Sequence, residues 1–379
     1  MDFNKTEEQK IILEMAAEFS RREVEPHLEE IERECRMPEG LMKRFATTGL
    51  LGICMPEEYG GSALSYQTFI LAMEEVGRIS PALVCSAVTT MAGLNIVLEY
   101  GTKAQQEQYL EAGIAGDIVT SMAFTEAGTG SDPKQLTTTA REENGRIVLN
   151  GVKRFITNAA YPGPMVVYAK DSDSGACSAY VIDKFCEGYS LSSPWTKIGI
   201  LGSPVYDVFL DNVSIPPKNL LGEKGKGFEV LLMESARGKL GHAAAALGII
   251  AEARNKAIRY AKEKLHRGKS ISKFQTIQLK TTKLCEHYES ARWMLYRAAA
   301  MADEEKQTED FRAYAAMVKG YISDLAPECA MLAMNILGPY GAMQEYGVER
   351  LLRDAAIQPH IEVVSDVQRL IYAGNIYRE

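Results

Sequence analysis

The feature that most constrains this chain is a change of texture partway along it. About 100 residues of strand-like and turn-like sequence stand between two longer blocks that read as helix. Runs of helices flanking a run of strands segregate into separate domains rather than alternating in one parallel sheet. In residues 1–118, "EEQKIILEMAAEFSRREV" places Ile11, Leu13, Ala16, Phe19 and Val24 near the helical period. "MPEEYGG" breaks that pattern at Pro56, Gly60 and Gly61, and it resumes through "YQTFILAMEEVGRI" and "AQQEQYLEAGIAG".

Residues 119–222 behave differently. "GRIVLNGVKRFITN" reads as two strands joined by a tight hairpin at Asn150-Gly151, a dipeptide that accepts positive φ. "ACSAYVID", "YSLSSPW" and "VYDVFLDNVSIPP" continue as short strands. Residues 223–379 return to long helices, with Leu240, Ala244, Leu247 and Ala251 along one stripe of an Ala- and Gly-rich segment suited to close helix approach. The expectation is an α+β multidomain protein: an N-terminal all-α domain, a middle β-domain and a C-terminal four-helix bundle.

Charge and cysteine usage narrow the function. The formal net charge of -8 argues against a phosphate-backbone binder, so nucleic acid is not the expected ligand. Seven scattered cysteines without a C-x-x-C pair read as reduced thiols, and five dispersed histidines give no metal-site spacing. The start, "MDFNKTEEQK", has neither the apolar core of a secretory signal nor the Arg-rich character of a transit peptide. No apolar run is read as reaching the ~20 residues that span a bilayer. A cytoplasmic protein without a membrane partner is the simplest reading.

Two stretches stand out chemically. In "MAFTEAGTGSDPKQLTTTA", Gly128 and Gly130 permit close approach of a ligand to backbone N–H groups; by composition alone the stretch fits a surface loop equally well. It matches neither G-x-x-x-x-G-K-[ST] nor G-x-G-x-x-G. In "HIEVVSDVQR", Glu362 stands between Ile361 and Val363, just before a final short helix. It reads as a solvated charge, a carboxylate favoured by a helix N-terminus, or a base kept where water is scarce.

In full wording, the first stretch resembles the acyl-CoA dehydrogenase family, whose T-E-x-G-x-G-S-D loop stands here as Thr125-Glu126-Ala127-Gly128-Thr129-Gly130-Ser131-Asp132. An aromatic-Ile-Thr-Asn segment follows as Phe155-Ile156-Thr157-Asn158, with further likeness in "GFEVLLMESARGKLGHAAAALG", "GKSISKFQTIQ" and "YGVERLLRDAAI". The resemblance covers nearly the whole chain and implies bound FAD, an acyl-CoA thioester substrate, an electron-transfer flavoprotein as partner and a homotetramer. It implies that Phe124, Thr125, Gly130 and Ser131 line the flavin, with Ser131 also near the CoA chain, and that Phe155 and Thr157 lie against the isoalloxazine ring. Gln275 is a further family cofactor position, and Arg237 is placed near the CoA moiety, against the plainer reading of a solvated helix residue.

The same resemblance makes Glu362 the α-proton base. The position that carries the base in some members reads here as Ala236, which cannot act. Departures cluster at the adenosine end: Lys264, Arg267, Asn335, Pro339, Val364 and Asp366 replace the family's usual residues there. The segment "CSAVTTMAGLNIVL" is expected to line the acyl tail, and its lack of Arg speaks against a dicarboxylate substrate. Two alternatives stand beside the dehydrogenase: an enoyl-CoA reductase running the reverse reaction in an anaerobe, and a non-catalytic acyl-CoA- or partner-binding relative with weakened FAD binding.

Overall fold

The computed structural model describes residues 4–129, 135–304 and 308–378. Six helices come first: α1 (Glu7–Phe19), α2 (Leu28–Glu34), α3 (Leu41–Thr47), α4 (Tyr66–Gly77), α5 (Pro81–Tyr100) and α6 (Lys103–Ile114). Side-chain caps start several of them. Thr6 and Thr102 form capping boxes with Gln9 and Gln105, and Ser65 and Ser80 accept from Thr68 and Leu83 N–H.

Eight strands follow: β1 (Ser121–Ala123), β2 (Thr139–Glu143), β3 (Arg146–Thr157), β4 (Pro164–Asp171), β5 (Cys177–Asp183), β6 (Tyr189–Leu191), β7 (Val205–Ile215) and β8 (Leu220–Leu221). They form one sheet in the order β6-β7-β3-β2-β4-β5-β8, with β1 running parallel to β4. The C-terminal part holds α7 (Gly227–Glu263), a small hairpin of β9 (Leu265–His266) and β10 (Lys269–Ser270), then α8 (Gln275–Glu304), α9 (Glu309–Leu337), α10 (Val348–Ile357) and α11 (Ser365–Ile376). Helix α9 packs on α7, α8, α10 and α11, while α7 also reaches α4 and α5. The three-part architecture is the one expected.

One expected turn is elsewhere. Asn150-Gly151 lies inside β3, which runs unbroken from Arg146 to Thr157. The tight turn is at Asn144-Gly145, where φ is 50° and 72° and Glu143 pairs with Arg146. Positive φ at both central residues is the hairpin geometry that matches strand twist. Gly151 serves another purpose: a Cβ there would lie 2.4 Å from Thr138 Oγ1.

Alternation along β4 joins two cores. Val166 and Tyr168 face the helices, whereas Met165, Val167 and Ala169 fill a second core inside the β-domain. The small residues of α7 allow α4 to come close, since a Cβ on Gly248 would lie 2.5 Å from the carbonyl carbon of Gly77. Contrary to the sequence expectation, α5 is long and apolar enough to cross a membrane. Of its most apolar 18-residue stretch, 89% is buried among the other elements, as in a central core helix.

Candidate active site

The loop after β1 is fixed by a buried ion pair. Lys153 on β3 and Glu126 meet at 2.7 Å, with side chains 0% and 2% exposed. Lys153 Nζ also donates to the carbonyls of Tyr168 and Phe124, and Glu126 accepts from Thr137 N, Thr137 Oγ1 and Thr138 N. Burial alone would raise Glu126, but the Lys153 ammonium and the hydrogen bonds hold its carboxyl down at about 2. Both ends of the segment that carries the Gly-rich loop are thereby tied to the sheet.

Beside this anchor, Arg154 N donates to Thr125 O at 2.7 Å, joining the loop to β3. The β3–β7 register then shifts between Lys153 and Ile156, and Phe155 takes φ 59°. A bulge re-aims a side chain, and Phe155 is left 52% exposed, edge-on to Trp195. Asp207 accepts from Arg154 and from Trp195 Nε1, which stations the guanidinium against both rings. Thr157, half-buried, ends the strand opposite Val205, and Phe124 packs edge-on against Tyr168. Phe124, Thr125, Phe155 and Thr157 are thus carried by two adjoining segments. Gly130 and Ser131 lie outside the described residues.

Glu362 sits in the connection between α10 and α11 with φ 64°. Two groups fix its backbone. Lys319 Nζ, fully buried on α9, donates to the carbonyls of Gln358 and Val363, and Gln368 Nε2 donates to Val363 O and to Glu362 Oε2. Its other oxygen faces α7. Ser235 Oγ donates to Glu362 Oε1 at 2.9 Å, and Lys239 Nζ lies 3.5 Å from the same oxygen. Lys239 donates in turn to Ser235 Oγ. The neighbours that the sequence showed, Ile361 and Val363, are apolar; the neighbours brought by the fold are polar and cationic. No helix-start role is seen, because Glu362 precedes α11 and its oxygens are engaged with side chains.

Burial pulls Lys319 down to about 8 against the attraction of Glu362. His242, one turn beyond Lys239, is pushed down to about 4 by burial and so is neutral near pH 7. The Glu362 side chain itself keeps 19% exposure.

The structure does not bring Arg237 to this cluster. Contacts to Glu362 fall at positions 235 and 239, one helical turn apart, and residue 237 points about 200° from 235. Its carbonyl accepts from Tyr66 OH and its guanidinium lies 5.9 Å from the Tyr66 ring centroid. Ala236 is buried. Gln275 is exposed at the first residue of α8, on the hairpin end of the bundle. At the positions expected at the adenosine end, the Lys264 ammonium lies over the Tyr340 ring, Val364 caps α11 without a side-chain bond, and Asp366 is exposed beside Arg369.

Sequence reasoning missed Ser235, Lys239, Lys319 and Gln368. The available signal was a Ser and a Lys four residues apart on α7, a spacing that lacks meaning until its partner segment is known.

Known proteins resemble the chain over nearly its whole length. Models of the acyl-CoA dehydrogenase N-terminal, middle and C-terminal domains match residues 6–117, 121–213 and 225–377. An acyl-CoA dehydrogenase of Bacillus subtilis is 36% identical over 370 residues, covering 97% of each chain. The caffeyl-CoA reductase-Etf complex subunit CarC of Acetobacterium woodii is 33% identical, covering 99% of each. The butyryl-CoA dehydrogenase structure from Megasphaera elsdenii superposes with TM-score 0.96 at 31% identity, covering 100% of both chains. With the three domain models in order and relatives matched end to end, the chain belongs to the acyl-CoA dehydrogenase family.

Proposed function

We propose that this protein is an FAD-dependent acyl-CoA dehydrogenase that passes electrons to an electron-transfer flavoprotein. The observation that carries the reading is the Glu362 carboxylate, held against α7 and still 19% exposed, in a chain of this family. The working units are taken as residues 1–118, 119–222 and 223–379, in a cytoplasmic homotetramer.

The residues fit a flavin. An aromatic ring left half uncovered by a positive-φ bulge offers a face to a planar ring system, beside a half-buried Thr157 hydroxyl. Phe124, Thr125, Phe155 and Thr157 would hold the isoalloxazine, with Gly130, Ser131 and Gln275 as further cofactor positions and Ser131 beside the CoA chain. FAD, when bound, supplies the acceptor for the hydride that leaves the β-carbon.

Glu362 takes the α-proton on a carboxylate oxygen, so that the proton goes to the protein and the β-hydrogen leaves with its electron pair. Gln368 and Ser235 fix the two oxygens, and Lys319 fixes the backbone that carries them. Orientation of this kind removes a large share of the barrier to proton transfer. The same atoms serve the reverse reaction, in which protonated Glu362 returns a proton to the α-carbon. The end-to-end likeness to a caffeyl-CoA reductase subunit favours that direction as the second reading.

The test is a panel of acyl-CoA and enoyl-CoA esters with wild-type protein and Glu362→Gln, scored by flavin bleaching and reoxidation. The variant should keep its flavin and lose about 10²- to 10⁴-fold in rate. Near-normal turnover removes Glu362 from the chemistry, and protein that never takes up flavin refutes the assignment.

A further inference from the structure

We infer that Lys239, acting through Ser235, is a positioning residue that sets where the Glu362 carboxylate points; this rests on Glu362 being the base. Three observations meet here. First, the contacts are continuous: Lys239 Nζ donates to Ser235 Oγ, and Ser235 Oγ donates to Glu362 Oε1 at 2.9 Å. Ser235 and Lys239 are one turn apart on α7, so the same helix face supplies both.

Second, Lys239 is committed to this place. Its side chain is 8% exposed, and its other hydrogen bond is to Ser235 O in the preceding turn. An ammonium is seldom buried unless it is paired, and Glu362 Oε1, 3.5 Å away, is the carboxylate that pairs with it.

Third, the backbone and the side chain of Glu362 are held by different elements. Lys319 and Gln368 fix the segment on either side of the left-handed residue, but only Gln368 also reaches its carboxylate, at Oε2. Among the described residues, Ser235 and Lys239 are the contacts of Oε1 on α7, and without them that oxygen loses its anchor there. Lys239 therefore works as a strut: it orders Ser235, which holds Oε1 on α7.

The role is distinct from substrate binding and makes a distinct prediction. In Lys239→Met, kcat should fall about a hundredfold, the scale set by misplacing a catalytic group by an ångström, while KM moves by no more than about threefold. Ser235→Ala, a smaller change that leaves the buried ammonium in place, should lower kcat in the same direction. Lys239→Arg, which keeps charge and donors, should recover most of the lost rate. Acyl-CoA affinity, measured by calorimetry on the same proteins, should stay near wild type.

Loss of activity in Glu362→Gln with wild-type kcat in Lys239→Met overturns the positioning role and leaves the proposed function standing. So does a rise in KM or a loss of acyl-CoA affinity at constant kcat, which would make Lys239 a binding residue. Wild-type protein that turns over neither acyl- nor enoyl-CoA esters overturns the proposed function and this role with it.

Discussion

Replacing Lys153 by Met is the most demanding test of how the site is built. The substitution nearly preserves volume but removes an ammonium that is fully buried and makes three hydrogen bonds: to Glu126 Oε1 at 2.7 Å, Tyr168 O at 2.7 Å and Phe124 O at 3.3 Å. Glu126 is then a buried carboxylate without its counter-ion. Removing one member of a buried pair costs about 3–5 kcal/mol. The three bonds that Thr137 and Thr138 still donate to Glu126 place the expected loss near the lower end, about 3 kcal/mol.

Urea unfolding followed by the fluorescence of Trp195, which sits in the β-domain, reads that loss directly. Flavin content should fall with it, because the same ion pair anchors the loop beginning at Phe124. A Glu126→Gln/Lys153→Met double variant should recover part of the stability, since it removes the stranded charge. A single variant within about 1 kcal/mol of wild type, with normal flavin content, would refute the argument that this pair organises the site.

Other outcomes follow from particular contacts. Glu126 is held at about 2 in the folded protein against an ordinary 4.5, so the unfolded chain takes up its proton first as pH falls. Its contribution is present above pH 4.5 and lost toward pH 2, and acid unfolding of Glu126→Gln should lack that component. Glu234 behaves oppositely, with burial raising its carboxyl to about 8. Its contribution is full below pH 4.5 and declines as pH rises toward 8, so Glu234→Gln should flatten stability across that window in urea titrations. Gly248→Ala should cost about 1–3 kcal/mol by forcing α4 off α7, where the new Cβ would stand 2.6 Å from Glu74 O; unchanged thermal unfolding would contradict that packing.

The sequence carried the layer order without help, because hydrophobic period and turn residues are local quantities. Helices such as α4 and α6, and strands such as β5 and β7, lie where their patterns predict them. The Asn-Gly signal was sound chemistry, but the chain contains the dipeptide at both 144–145 and 150–151. Only strand pairing decided that the first turns and the second lies flat against Thr138. The apolar length of α5 was likewise visible in composition, while its place in the core was not.

At the site the division is sharper. The sequence by itself marked Glu362, Phe155 and Thr157, because a motif is a property of neighbours along the chain. It could not supply Ser235 and Lys239, which are more than 120 residues from Glu362, nor turn Arg237 away from them. Those outcomes depend on helical phase and on which helix packs against which, and both exist only once α7, α9 and α11 are assembled. Apolar neighbours in sequence therefore became cationic neighbours in space, since Glu362 adopts a left-handed backbone that turns its carboxylate away from Ile361 and Val363 and onto α7.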